Sequence, residues 1–139
     1  MKNLLLTVIA FFTLSVLGTL TAQAQTTTTF TGNLDVTASD LGATITTANQ
    51  QVTVIDYGST ATVSINNLSI AGYTGVNVTL DVIKDAATGN ITGYSNLTVT
   101  GVSGVKCKSV SGNVTTDNCT LALNLTKSLI RVTVEFQSN

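Results

Sequence analysis

Val76-Asn77-Val78-Thr79-Leu80-Asp81-Val82 alternates aliphatic and polar side chains without interruption, the period of a strand with one face buried and the other wet. The same period runs through Leu121-Ala122-Leu123-Asn124-Leu125 and through Ile130-Arg131-Val132-Thr133-Val134-Glu135-Phe136. No stretch carries the apolar stripe of a helix. Between Gln25 and Asn139 the chain holds 23 Thr and 14 Val, whose branched Cβ atoms are stiff in helices and pack well on a pleated surface.

Working outward from these runs, strands are predicted over about 28–38, 43–47, 50–57, 60–70, 75–83, 91–100, 104–110, 119–126 and 129–137. Between them fall Gly42, Gly58-Ser59, Gly72 to Gly75, Gly89-Asn90, Ser103-Gly104 and Ser111-Gly112-Asn113, residues that suit tight hairpin turns. Connections this short join antiparallel neighbours. Such a meander must bury one face, and the expected fold is an antiparallel up-and-down β-barrel of about eight strands, with a β-sandwich as the alternative. The alternation changes phase at Asn66-Asn67 and again at Val54-Ile55. Each is read as a β-bulge, which bends a sheet toward closure, although Ile55 can equally lie at a strand end.

The first residues read differently. Met1-Lys2-Asn3 precedes a mostly apolar run from Leu4 to Leu17, followed by Ala22-Gln23-Ala24, the pattern of a secretory signal cleaved after Ala24. The run is shorter than the roughly 20 residues of a spanning helix, so a membrane-spanning protein is not expected. The domain division is thus 1–24 signal peptide and 25–139 a single barrel domain, exported to the periplasm or the cell exterior.

The chain has 139 residues, no His, no Trp and no Pro, and 9% charged residues. Without His the usual general base and the commonest zinc ligand are missing, which speaks against triad hydrolases and His-ligated metal enzymes. From Gln25 onward five Lys or Arg stand against seven acids, a formal charge of −2. The cations are scattered rather than gathered in a stripe, so nucleic acid is not an expected partner. Paired carboxylates for glycoside chemistry would have to draw on the Asp residues, since Glu135 is the only Glu and sits on the polar phase. Asp81, Lys84 and Asp85 lack the spacing of a calcium loop and read as a solvated turn. No catalytic residue, metal ligand or cofactor site is therefore expected.

Cys107 and Cys119 lie on consecutive predicted strands. In an exported protein they are expected to form a disulfide, worth about 3 kcal/mol for a loop of this length. Tyr57, Tyr73 and Tyr94 fall near predicted turns, as rim residues or as amphipathic packing at strand ends. N-x-S/T sequons occur at Asn67, Asn77, Asn90, Asn96, Asn113, Asn118 and Asn124, either glycosylation sites or a by-product of Thr-rich strands and Asn-rich turns.

The order of these features resembles the calycin-like (lipocalin-like) β-barrel family of small secreted bacterial proteins. The resemblance is carried by Phe30-Thr31-Gly32-Asn33-Leu34-Asp35-Val36, by Gln50-Gln51-Val52-Thr53-Val54, by Ala61 to Gly72 with its phase change at the Asn pair, and by the closing strand Ile130 to Phe136. It implies an up-and-down barrel that binds a small apolar ligand. The chain departs from the family's pattern in being shorter between Val82 and Cys119, in carrying the cysteine pair and in lacking the Gly-x-Trp of lipocalins.

The expected function is that of an exported, non-enzymatic barrel protein. Its ligand site would be the interior set Val63, Ile65, Val76, Val78, Leu80, Leu121, Leu123, Val132 and Val134, which could equally be a solid core. The alternative is a structural or adhesive, fimbrial-type surface subunit that exchanges strands with a neighbour, leaving the protein partner open.

Overall fold

The computed structural model describes residues 24–139, so the expected signal segment, apart from Ala24, lies outside the described residues. The described residues are all-β, with eight antiparallel strands in one nearly closed, barrel-shaped sheet. They are β1 (Thr26–Ala38), β2 (Ala43–Asp56), β3 (Thr60–Ile70), β4 (Tyr73–Lys84), β5 (Ile91–Thr100), β6 (Val105–Val114), β7 (Cys119–Lys127) and β8 (Ile130–Ser138), with one 3-10 turn at Ser39–Leu41. The spatial order is β5-β4-β3-β2-β1-β8-β7-β6. Every neighbour is a hairpin partner except β1 and β8, whose pairing brings the two ends of the domain together.

Alternation decides which face is buried. Val76, Val78, Leu80 and Val82 on β4, Leu121, Leu123 and Leu125 on β7, and Val132, Val134 and Phe136 on β8 all join one apolar cluster. Each such side chain contributes about 1.5–3 kcal/mol by leaving water. β1 approaches β8 so closely at Gly32 that a Cβ there would collide with the Gln137 carbonyl.

Bulges shape the rest. At Asn66-Asn67 two residues of β3 face one of β4, Asn77, with Ile65 opposite Val78 and Leu68 opposite Val76. Asn67 takes φ 62° there, and Leu68 and Ile70 return to the core. The bulge expected at Val54-Ile55 is absent, because β2 pairs with β3 in unbroken register from Val52 to Asp56. The β2 bulge lies instead at Ala48-Asn49, where the pairing with β1 slips between Gly32 and Leu34 and Asn49 takes φ 58°. It joins the two predicted segments 43–47 and 50–57 into one strand.

The barrel has one seam, between β5 and β6. Both strands are bulged: β5 slips against β4 at two places, and β6 slips against β7 between Cys107 and Ser109. Bulges add local twist, and the backbone ties across the seam lie just before β5, where Asn90 bridges Asn113 and the Val114 amide donates to the Gly89 carbonyl at 2.9 Å. Side chains close what the ladder does not. The Tyr94 hydroxyl donates to the Cys107 carbonyl at 3.0 Å, and Asn113 Nδ2 donates to the Thr88 carbonyl at 2.8 Å.

The expected disulfide is not formed; both cysteines are free thiols. Cys107 stands opposite Leu125 and Cys119 opposite Val114, so the two are separated by six residues of strand, about 20 Å. A bridge needs Cα atoms within about 7 Å. The sequence placed both cysteines near one turn, but β6 runs on to Val114 and carries Cys107 toward its far end.

Candidate functional site at the loop end of the barrel

The nine interior residues read as a ligand site, Val63, Ile65, Val76, Val78, Leu80, Leu121, Leu123, Val132 and Val134, are all turned inward and at most 3% exposed. They pack against one another and against Leu34, Val52, Leu68 and Phe136 in a single cluster. All nine belong to the buried core.

One end of this core is closed by charge. Lys84 continues the inward phase of Val78, Leu80 and Val82, and its side chain is only 4% exposed, with Nζ 3.2 Å from the Asp56 carboxylate. Asp56 likewise continues Val52 and Val54, and it accepts the Gly58 amide at 2.8 Å. Lys84 is therefore a buried ion-pair member and not part of a solvated turn. Asp81 instead accepts the Thr62 hydroxyl at 2.7 Å. Asp85 accepts the amides of Ala87 and Thr88, which hold its carboxyl below the usual range. The three residues have three separate structural roles.

The opposite end collects the connections β1–β2, β3–β4, β5–β6 and β7–β8. Here β2 and β3 part. Their pairing stops at Val52 and Ile65, where the bulges at Ala48-Asn49 and Asn66-Asn67 face each other. Gln50 Nε2 spans the fork to the Asn66 carbonyl at 3.1 Å, and the Asn77 side chain accepts the Asn67 amide at 3.0 Å. Beyond the fork, residues 43–49 of β2 pair with β1 alone and residues 66–70 of β3 pair with β4 alone.

Between these two free edges lies an apolar slot of about 70 Å³, lined by Val36, Ala38, Leu41, Ala43 and Ile45 on one side and Ser69 and Ala71 on the other. Register explains why it is apolar: Val36 faces Ile45 and Ala38 faces Ala43 across the β1–β2 ladder. Val36 and Ala38 are core residues, whereas Ile45 is 46% and Leu41 59% exposed. The slot is thus a surface extension of the core. Its volume matches about two water molecules, enough for a short apolar group. Asp40 ties the loop above it to β8, accepting the Arg131 backbone amide at 2.7 Å and its guanidinium at 3.1 Å. Arg131 holds the Asp40 carboxyl below its ordinary range.

Three larger depressions, of about 460, 380 and 280 Å³, are also present. The first contains Asp35 and Glu135, directly opposite each other on β1 and β8. Asp35 also accepts the Thr46 hydroxyl at 2.6 Å. These carboxylates stand on a wet sheet surface. Among the described residues no three His, Cys, Asp or Glu gather as a metal site.

The sequence reading missed the slot and the Lys84–Asp56 pair. Both had a signal: Lys84 and Asp56 lie on the apolar phase of their strands, and Leu41 is an apolar residue at a turn position. No family model, curated protein or solved structure matches the chain.

Proposed function

We propose that this chain is an exported, non-enzymatic binding protein that receives a short apolar group in the slot between β2 and β3. The observation that carries this reading is the apolar lining, Val36, Ala38, Ala43 and Ile45, held open to solvent between two unpaired strand edges. Covering such surface contributes about 25 cal/mol per Å², and the half-exposed Ile45 and Leu41 supply surface to cover. The packed interior is the scaffold for this site and not the site itself.

Phenylnaphthylamine, a neutral dye that brightens in apolar surroundings, tests the reading. The wild-type protein and Glu135→Gln are expected to enhance its fluorescence alike, and Ile45→Asp to weaken binding at least tenfold, about 1.4 kcal/mol. Equal enhancement by Ile45→Asp overturns the slot.

A second reading has its own observation. The free edges at 43–49 and 66–70 each present unpaired backbone donors and acceptors, and a strand from a neighbouring copy could add to either. In that case the protein is a structural surface subunit. Size-exclusion chromatography separates the two: assembly that grows with concentration supports the subunit, and a monomer at all concentrations supports the binding protein.

A further inference from the structure

Exposed apolar side chains and cations gather at the same end of the barrel. Of the five large hydrophobic residues that stand exposed among the described residues, four belong to the loop end: Leu129 at 91%, Leu41 at 59%, Ile45 at 46% and Tyr73 at 45%. Leu129 sits at the tip of the β7–β8 turn and Leu41 in the β1–β2 connection. Neither position serves the core.

Charge divides along the same axis. Lys106 and Arg131 flank Thr126 in one cross-strand row of β6, β7 and β8 at the level of the rim. Lys108 lies two residues further along β6, and Lys127 ends β7. Lys127 reaches across the mouth, its Nζ 3.0 Å from the Ser103 carbonyl and 5.1 Å from the centre of the Tyr73 ring. Against these four cations the rim carries one carboxylate, Asp40, already engaged by Arg131. Asp35 and Glu135 lie deeper, on the wall of the barrel. The other end is reversed, with Asp56, Asp81, Asp85 and Asp117 against Lys84 alone. A chain with a net charge near zero thus has strongly unlike ends.

We propose that the loop end docks on a phospholipid bilayer bearing anionic headgroups, with Leu129 and Leu41 entering the apolar boundary and Lys106, Lys108, Lys127 and Arg131 facing the phosphates. Interfacial binding combines buried apolar area with attraction to anionic lipid, and this rim supplies both in one plane. A single apolar turn tip anchors weakly, and scattered cations bind only through a screened field; together they give reversible adsorption. The acidic far end, repelled by the same surface, sets the orientation. This docking does not depend on the slot being filled, because Leu129, Lys106 and Lys108 do not line it.

The test is co-sedimentation of the protein, purified as its host exports it, with vesicles of pure phosphatidylcholine or of equimolar phosphatidylcholine and phosphatidylglycerol. Adsorption is expected on the anionic vesicles alone and is expected to fall as salt rises. Each rim cation contributes about fivefold to partitioning, so Lys106→Gln/Lys108→Gln is expected to weaken it roughly thirtyfold. Leu129→Ser is expected to cost about tenfold. Both variants leave the N-terminal segment, the slot and the core untouched, and circular dichroism checks their fold. Equal binding to both vesicles, unchanged binding by both variants, or no binding to the anionic vesicles at low salt would each overturn the proposal. Loss of dye binding in Ile45→Asp with vesicle binding intact, or the reverse, tells failure of the slot from failure of the docking.

Discussion

Replacing Asp56 by Asn removes the carboxylate that pairs with a Lys84 ammonium whose side chain is 4% exposed, while Asp56 itself is 23% exposed. Breaking a buried pair from one side costs about 3–5 kcal/mol, because the remaining charge stays desolvated and uncompensated. The partial exposure of Asp56 admits some water, which places Asp56→Asn near the lower figure, about 3 kcal/mol. Lys84→Met leaves the opposite residue in a milder state. The carboxylate keeps its bond from the Gly58 amide and its contact with solvent, so this change is expected to cost about 1 kcal/mol. The double variant should match Lys84→Met, giving a coupling of about 3 kcal/mol between the two positions. Urea unfolding followed by circular dichroism measures this: with a slope of about 2 kcal/mol per molar urea, Asp56→Asn lowers the midpoint by roughly 1.5 M and Lys84→Met by about 0.5 M. A Lys84→Met variant that is destabilised as much as Asp56→Asn, or more, refutes the buried-cation reasoning.

Four further outcomes are expected. Burial pushes the Cys119 thiol up to about 12, and burial also raises Cys107. The native protein should therefore react sluggishly with Ellman's reagent at neutral pH and show two free thiols in denaturant; a non-reduced mass two hydrogens light contradicts this. The native state holds the Cys119 proton that the unfolded chain releases near pH 9. Stability is therefore complete below pH 9 and falls as pH rises toward 12, by about 1.4 kcal/mol per unit; Cys119→Ala should remove this slope. Gly32→Ala forces a Cβ into the Gln137 carbonyl and should cost about 1–3 kcal/mol in the same urea assay. Glu135→Lys replaces a like-charge neighbour of Asp35 with an opposite one and should stabilise by up to about 1 kcal/mol, read as a raised melting temperature.

The strands were legible because one face of each is buried, and burial writes a two-residue period into the chain. Val76 to Val82 and Ile130 to Phe136 fold as that period demands. The phase change at Asn66-Asn67 was legible for the same reason, since Leu68 and Ile70 both needed the core. At Ala48-Asn49 no such signal existed: the residues before it, Ala43 to Thr47, are exposed on both faces, so a change of phase there alters no burial. That fork forms the slot, which is why the slot was hidden as well. The cysteine pairing failed on register. Proximity in sequence suggested a stapled turn, while the continuation of β6 through Ser111-Gly112-Asn113 separates Cys107 from Cys119. Lys84 illustrates the opposite error, where residue type outweighed phase: a Lys was assigned to solvent although it continues the inward series of Val78, Leu80 and Val82.

In the function proposed above, apolar binding belongs to the fork between β2 and β3 and leaves the barrel interior undisturbed. Amide chemical-shift mapping by NMR, with phenylnaphthylamine added to the labelled protein, tests it most directly. The expected shifts cluster at Val36 to Ile45 and at Ser69 to Tyr73, with Leu80, Leu123 and Val134 unmoved. Shifts concentrated on Val63, Leu80, Leu123 and Val134, with the loop end unchanged, would place the ligand inside the barrel and contradict the claim.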